Sequence, residues 1–235
     1  MARTAKHRVN RPASGAASPR RAPSGSRGLT AGERPGARAK RSAERRDAIL
    51  AAALDEFAAR GFAATRLDDV ARRADVAKGT IYLHFADKET LFQELIRMEL
   101  SPVVAALENV SHADIPFRAV TGQLIEVFAR EIFETRRKDV IRLVITEGPR
   151  FPKLAEFYYR EVLSRVLPAM RALLSRAAAR GEIPEALAKF PQLLAAPGLV
   201  AVVWTGLFDK YEPLDVRAMM QAHADLVFGA KRSAS

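Results

Sequence analysis

The chain is 235 residues long, 49% hydrophobic and 28% charged, with a formal net charge of +11 and no cysteine. That apolar content is ample for a packed core, so most of the chain is expected to be globular. Without cysteine there is no disulfide, thiolate zinc site or cysteine nucleophile. The basic N-terminus has no apolar stretch behind it to make a secretory signal, so a reducing, cytoplasmic setting is the expectation.

The charge is unevenly placed. Residues 1–43 hold eleven Lys or Arg against one acid, Glu33, whereas the remainder holds 27 basic and 26 acidic residues. Residues 1–42 lack aromatic residues and apolar periodicity and are rich in Pro, Gly, Ser, Ala and Arg, which predicts a disordered basic tail. Such a tail is either a plain solvated extension or an arm that neutralises DNA phosphates without reading sequence.

From Ser42 the pattern changes. Ile49, Leu50, Ala53, Leu54 and Phe57 recur at helical spacing, which predicts a first helix from Ser42 or Ala43 to about Arg60, stopped by Gly61. A second short helix over 66–74 and a third over 79–85, joined by the polar turn Asp75–Lys78, supply apolar partners for its stripe. Residues 43–90 therefore read as a three-helix domain in which helices two and three form a helix-turn-helix, able to place its second helix in the major groove. In that helix Thr80, Tyr82 and His84 alternate with the apolar residues Ile81, Leu83 and Phe85. With Lys78 and Lys88 they supply donors suited to phosphate gripping and a few base-edge contacts.

Asp87 stands where an N-cap belongs, ahead of a fourth helix from about Lys88 to Leu107 that Pro102 either kinks or divides. A fifth helix follows from Phe117 to about Ile132, a sixth over Val140–Ile145 and a seventh from Leu154 to about Arg180, with a bend expected at Pro168. Residues 185–209 predict a nearly all-apolar eighth helix broken at Pro197-Gly198, and 214–228 a ninth. No strand periodicity appears. The fold class is all-α, with residues 91–235 as a second, helical domain and about nine helices in all. The charge-free run 190–208 approaches membrane-spanning length, but Pro191, Gln192, Pro197, Gly198, Thr205 and Gly206 interrupt it, so it reads as a buried interface helix with no membrane partner.

The segment AKGTIYLHFADKETLF, residues 77–92, resembles the third-helix signature of the TetR family of transcriptional regulators, Lys-Gly-Thr-x-Tyr-x-His-Phe followed by Lys-Glu-x-Leu. Residues 48–76 resemble the family's first two helices, with Phe57, Gly61, Phe62, Thr65 and Val70-Ala71 in the expected places. The resemblance implies that Thr65, Tyr82, His84 and Lys88 contact backbone phosphates and that Lys78, Gly79 and Thr80 face base edges. Arg66, at the start of helix two, joins this DNA-facing set. Three positions depart from the pattern: Arg66 replaces a small hydroxyl residue, Asp75 a glycine in the turn, and Ala77 a capping serine. Residues 45–90 hold eight basic and eight acidic residues, so the helix-turn-helix is neutral and general attraction to DNA falls to the tail.

The resemblance further implies a small-molecule pocket enclosed by helices four to seven. Phe128, Ile132, Ile141, Val144, Phe151, Phe157, Tyr158 and Trp204 are candidates for its lining, and an apolar or aromatic effector is expected. It also implies a homodimer through residues 185–209 and 214–228. The histidines His84, His112 and His223 sit on separate elements without a carboxylate pattern, and no HExxH, phosphate loop or GxSxG occurs, so no catalytic residue, metal or cofactor is expected. The function so implied is a repressor released from a palindromic operator by a small effector, with an effector-independent architectural DNA-binding protein as the alternative.

Overall fold

The computed structural model describes residues 35–112 and 115–228; of the tail expected over residues 1–42, residues 1–34 lie outside the described residues, and residues 35–42 are helical instead. Every regular element among the described residues is helical. Helix α1 (Pro35–Ala64) begins at Pro35 rather than near Ser42, and its regular course ends at Gly61, whose φ of 75° lies in the left-handed region. A side chain there would be strained by the backbone and would also bring a Cβ to 2.6 Å from Glu147 Oε1. Helix α2 (Leu67–Arg73), a turn at Asp75 and helix α3 (Lys78–His84) follow.

The three helices close on one core with the start of α4 (Lys88–Ser111). Leu50, Phe57, Phe62, Val70, Ile81, Phe85, Phe92 and Leu95 are all buried in it, and the rings of Phe57, Phe62 and Phe92 meet at 5.3–5.5 Å. Asp87 caps α4 by accepting the Thr90 N–H at 2.7 Å. Pro102 lies inside α4 without dividing it. The first half of α4 thus belongs to the helix-turn-helix core, and the second half, with Leu100, Val103 and Val104 buried, to the C-terminal domain.

Helix α5 (Phe117–Val127) passes into a π-helical stretch, Phe128–Phe133, and α6 (Arg137–Glu147) returns toward α1. Helix α7 (Pro152–Tyr158) runs through a second π-helical turn, Tyr159–Leu163, into α8 (Ser164–Ala179). The irregularity expected at Pro168 therefore lies just upstream of it. Pro168 has no N–H for the Ser164 carbonyl, and Ser164 is where the widened turn ends.

The eighth predicted helix is corrected by the structure. It is broken at Phe190-Pro191, giving α9 (Glu185–Lys189) and α10 (Gln192–Leu207), and α10 continues unbroken through Pro197-Gly198. Phe190, at φ −123° and ψ 74°, is driven out of the helical region by the proline after it. Pro197 costs α10 only a single bond, to Leu193 near the helix start. Helix α11 (Val216–Phe228) then packs Met220 and Ala224 against Ile125 of α5. No helix among the described residues is long and apolar enough to cross a membrane.

Candidate DNA interface and effector cavity

Ile81 and Phe85 fix α3 to the core at 0% and 1% exposure, and the opposite face of the helix is turned outward. At the centre of that face are Gly79, where an added Cβ would meet nothing within 4 Å, and Leu83, which is 84% exposed. The sequence pattern had grouped Leu83 with the apolar residues beside it; a seven-residue helix that buries Ile81 and Phe85 must turn the residue between them away. Tyr82 is half exposed, and Thr80 and His84 are half-buried at the flanks. Lys78 Nζ lies 2.7 Å from Asp68 Oδ2, a hydrogen bond that raises the lysine pKa above its ordinary value. Arg66 is exposed just before α2. Neither α2 nor α3 has a side-chain cap, as the departures at Arg66 and Ala77 lead one to expect.

Two residues expected at the phosphates are turned inward instead. Thr65 is 2% exposed, and its hydroxyl donates to the Gly61 carbonyl at 2.8 Å, with the Glu56 carbonyl at 3.2 Å, so it fastens the loop between α1 and α2. Lys88 directs its ammonium at the carbonyls of Phe62, Ala63 and Thr65, at 2.8, 2.9 and 3.3 Å, and lies 4.7 Å from the centre of the Phe62 ring. All three of its protons are taken up, and burial lowers its pKa. Lys88 therefore neutralises the unpaired carbonyls that end α1. The outward set is Arg66, Lys78, Gly79, Thr80, Tyr82, Leu83 and His84.

Behind this module α4, α5, α6, α8, α10 and α11, with the α7–α8 junction, enclose a cavity of about 360 Å³. Phe128, Ile132, Ile141, Val144 and Tyr158 line it. Phe151, Phe157 and Trp204 do not, and the structure corrects their assignment. Phe151 packs edge-on against Phe62 at 4.8 Å. Phe157, 1% exposed, belongs to the core shared with the helix-turn-helix, with Arg97 and Arg160 over its ring at 4.8 and 5.2 Å. Trp204 donates from Nε1 to the Glu212 carbonyl at 2.9 Å and so fastens the loop before α11. The aromatic residues are largely drawn into joints between elements, and branched aliphatic residues such as Leu100, Val103, Val104, Val166 and Val202 make most of the wall. The signal for them was the continuation of the apolar stripe of α4 beyond what three short helices need. Among the described residues, Thr121, Tyr158, Gln192 and His223 are the polar ones of the wall, and no Asp, Glu, Lys or Arg lines it. Burial pushes the Tyr158 phenol up to about 12, so it stays protonated.

On the outside, α10 presents Leu193, Val200, Val203 and Leu207 at 42–58% exposure, spaced along one face, while Pro197, Gly198, Ala201 and Val202 are buried on the other.

A helix-turn-helix mounted on a helical domain with an apolar cavity defines a DNA-binding regulator. Residues 49–95 match the family profile of bacterial regulatory proteins, tetR family, and residues 120–226 that of the tetracyclin repressor-like C-terminal domain. The HTH-type transcriptional repressor BepR of Brucella suis is 32% identical over 148 residues, which is 60% of this chain and 70% of BepR. The chain belongs to the TetR family of transcriptional regulators. Among solved structures, the SmeT–triclosan complex is 21% identical with a TM-score of 0.64, covering 78% of this chain and 89% of SmeT. FadR of Bacillus subtilis in complex with stearoyl-CoA is 21% identical with a TM-score of 0.63, covering 78% and 97%.

Proposed function

We propose that the protein is a ligand-responsive repressor that binds a palindromic operator as a homodimer and is released from it by a small, largely apolar effector. The observation that carries this reading is the double membership of α4: Leu91, Phe92 and Leu95 are core of the DNA-binding module, and Leu100, Val103 and Val104 are wall of the cavity. A ligand that repositions the second half of α4 acts directly on the packing of the first. For nearly complete release it must prefer the non-binding state by about 10⁴-fold. An effector-independent architectural protein has no use for an enclosed apolar cavity, which favours the regulated reading. The triclosan and stearoyl-CoA in the SmeT and FadR complexes support it by analogy.

The outward apolar stripe of α10 needs a partner, and a second copy using α10 and α11 supplies a self-complementary one. A two-fold pair sets two α3 helices about 34 Å apart, facing successive major grooves. Arg66, Tyr82 and His84 then hold phosphates, and Lys78, Gly79, Thr80 and Leu83 approach base edges. Residues 1–34, with eight Lys or Arg against Glu33, add attraction that is independent of sequence.

Mobility shifts on the DNA upstream of its own gene, at two salt concentrations and with a scrambled competitor, test this. The expected result is specific binding of one dimer per site, with deletion of residues 1–34 weakening both DNAs alike and flattening the salt dependence. Equal affinity for both DNAs would favour the architectural reading.

A further inference from the structure

We propose that His223 is the polar anchor of the cavity and that the effector is an uncharged amphiphile, an apolar body carrying one neutral hydrogen-bonding group such as a hydroxyl. This rests on the effector reading above and narrows it.

His223 stands on α11 and belongs to the cavity wall, and its Nε2 is buried with no hydrogen-bond partner among the described residues. A buried ring nitrogen with no partner weakens the empty protein, and a ligand group that meets it recovers the loss as binding free energy. The other polar groups of the wall make weaker claims. Thr121 already donates its hydroxyl proton to the Phe117 carbonyl at 3.0 Å. Tyr158 keeps its proton and can add a second donor to the same ligand group.

The rest of the wall decides the ligand's charge. Among the described residues it contains no Asp, Glu, Lys or Arg. A carboxylate or ammonium drawn into it would lose its water and gain no fixed counter-charge. One neutral polar group on an apolar frame is what such a wall accommodates, and about 360 Å³ lies near the small end of the range for ligand pockets.

The test uses three probes of one shape, 4-butylphenol, butylbenzene and 4-butylbenzoate, titrated calorimetrically into the full chain and into His223→Leu and His223→Gln. The wild type is expected to bind 4-butylphenol about tenfold tighter than butylbenzene, the gain of one well-made hydrogen bond, and 4-butylbenzoate least. In H223L the phenol and the hydrocarbon should come within about twofold, and the ligand-free Tm should rise by about 2–4 °C as the unmet polar atom disappears. H223Q should restore part of the preference, which separates a lost anchor from a damaged fold. An undiminished phenol preference in H223L would overturn the anchor, and tightest binding of the benzoate would overturn the neutral effector. Either result leaves the effector cavity standing. No binding of any probe to the wild type would overturn the cavity reading as well.

Discussion

Glu147, the last residue of α6, accepts the backbone N–H of Phe62 at 3.2 Å, joining two points 85 residues apart in sequence. The bond sits at the left-handed kink of Gly61, and the second carboxylate oxygen, Oε2, is buried without a hydrogen-bond partner among the described residues. Three residues before Glu147 the same helix lines the cavity through Val144. Thus α6 offers a second connection from cavity to DNA-binding module, beside α4.

Gly61→Ala is expected to destabilise by at least about 1–2 kcal/mol, from the left-handed backbone alone, with the close approach of Glu147 Oε1 adding to it. Glu147→Ala leaves the Phe62 N–H unmet at a cost of about 1–3 kcal/mol, while Glu147→Gln keeps an acceptor and stays close to the wild type. Chemical denaturation ranks the three. An E147A protein as stable as E147Q would show that the bond contributes nothing.

The turn between α2 and α3 is not built from its best residues. Asp75 holds φ at 52°, the only non-glycine with positive φ among the described residues, and Ala77 precedes α3 without offering a cap. Asp75→Gly relieves the backbone, and Ala77→Ser supplies the missing acceptor. Each should stabilise by up to about 1 kcal/mol. Thermal melts of the single and double variants check this, and a lowered Tm for A77S would mean that α3 does not begin at Lys78.

Leu83 costs nothing to the fold and yet sits at the centre of the outward face of α3. Its branched side chain suits a thymine methyl in the major groove. Leu83→Ala should leave the Tm unchanged and weaken operator binding by roughly tenfold, as expected for one lost base contact. Replacing the contacted thymine by deoxyuridine should reproduce the loss in wild type and add little in L83A. Arg66→Ala, by contrast, should weaken all DNA sequences more evenly.

The cap of α4 carries a pH signature. The Thr90 N–H holds the Asp87 carboxyl below its ordinary 3.8. With the folded pKa depressed, the stabilisation is present above the unfolded value and is lost as pH falls through the folded one. Asp87→Ala should therefore cost about 1 kcal/mol at pH 7, with the gap to wild type closing below about pH 4. A gap that stays constant down to pH 2.5 in circular-dichroism melts would assign the loss to something other than the ionised cap.

The local signals in the sequence were enough for the helix-turn-helix. Apolar spacing located α2 and α3, Asp87 marked the start of α4, and Gly61 marked the end of the regular part of α1. Direction was harder to read. Thr65 and Lys88 are donors in type, and only the fold shows that both spend their protons on carbonyls around the end of α1. Leu83 is apolar in type but lies opposite Ile81 and Phe85, which a two-residue alternation conceals in a helix. The lining of the cavity was half legible, because aromatic residues are as useful at joints as in pockets: Phe151 and Phe157 serve the joint with the DNA-binding module, and Trp204 a loop. The break at Phe190-Pro191 rather than Pro197 reflects how much each proline costs at its place in a helix, which depends on where that helix starts.

The most direct measurement is fluorescence anisotropy of a labelled operator, titrated with the full chain in the absence and presence of 4-butylphenol. The expected result is saturation at two chains per operator, with the apparent Kd raised by at least about tenfold by the ligand, a coupling of about 1.4 kcal/mol. Binding that saturates at one chain, or a Kd that stays the same while calorimetry shows the cavity filled, would contradict a dimeric repressor released by its effector.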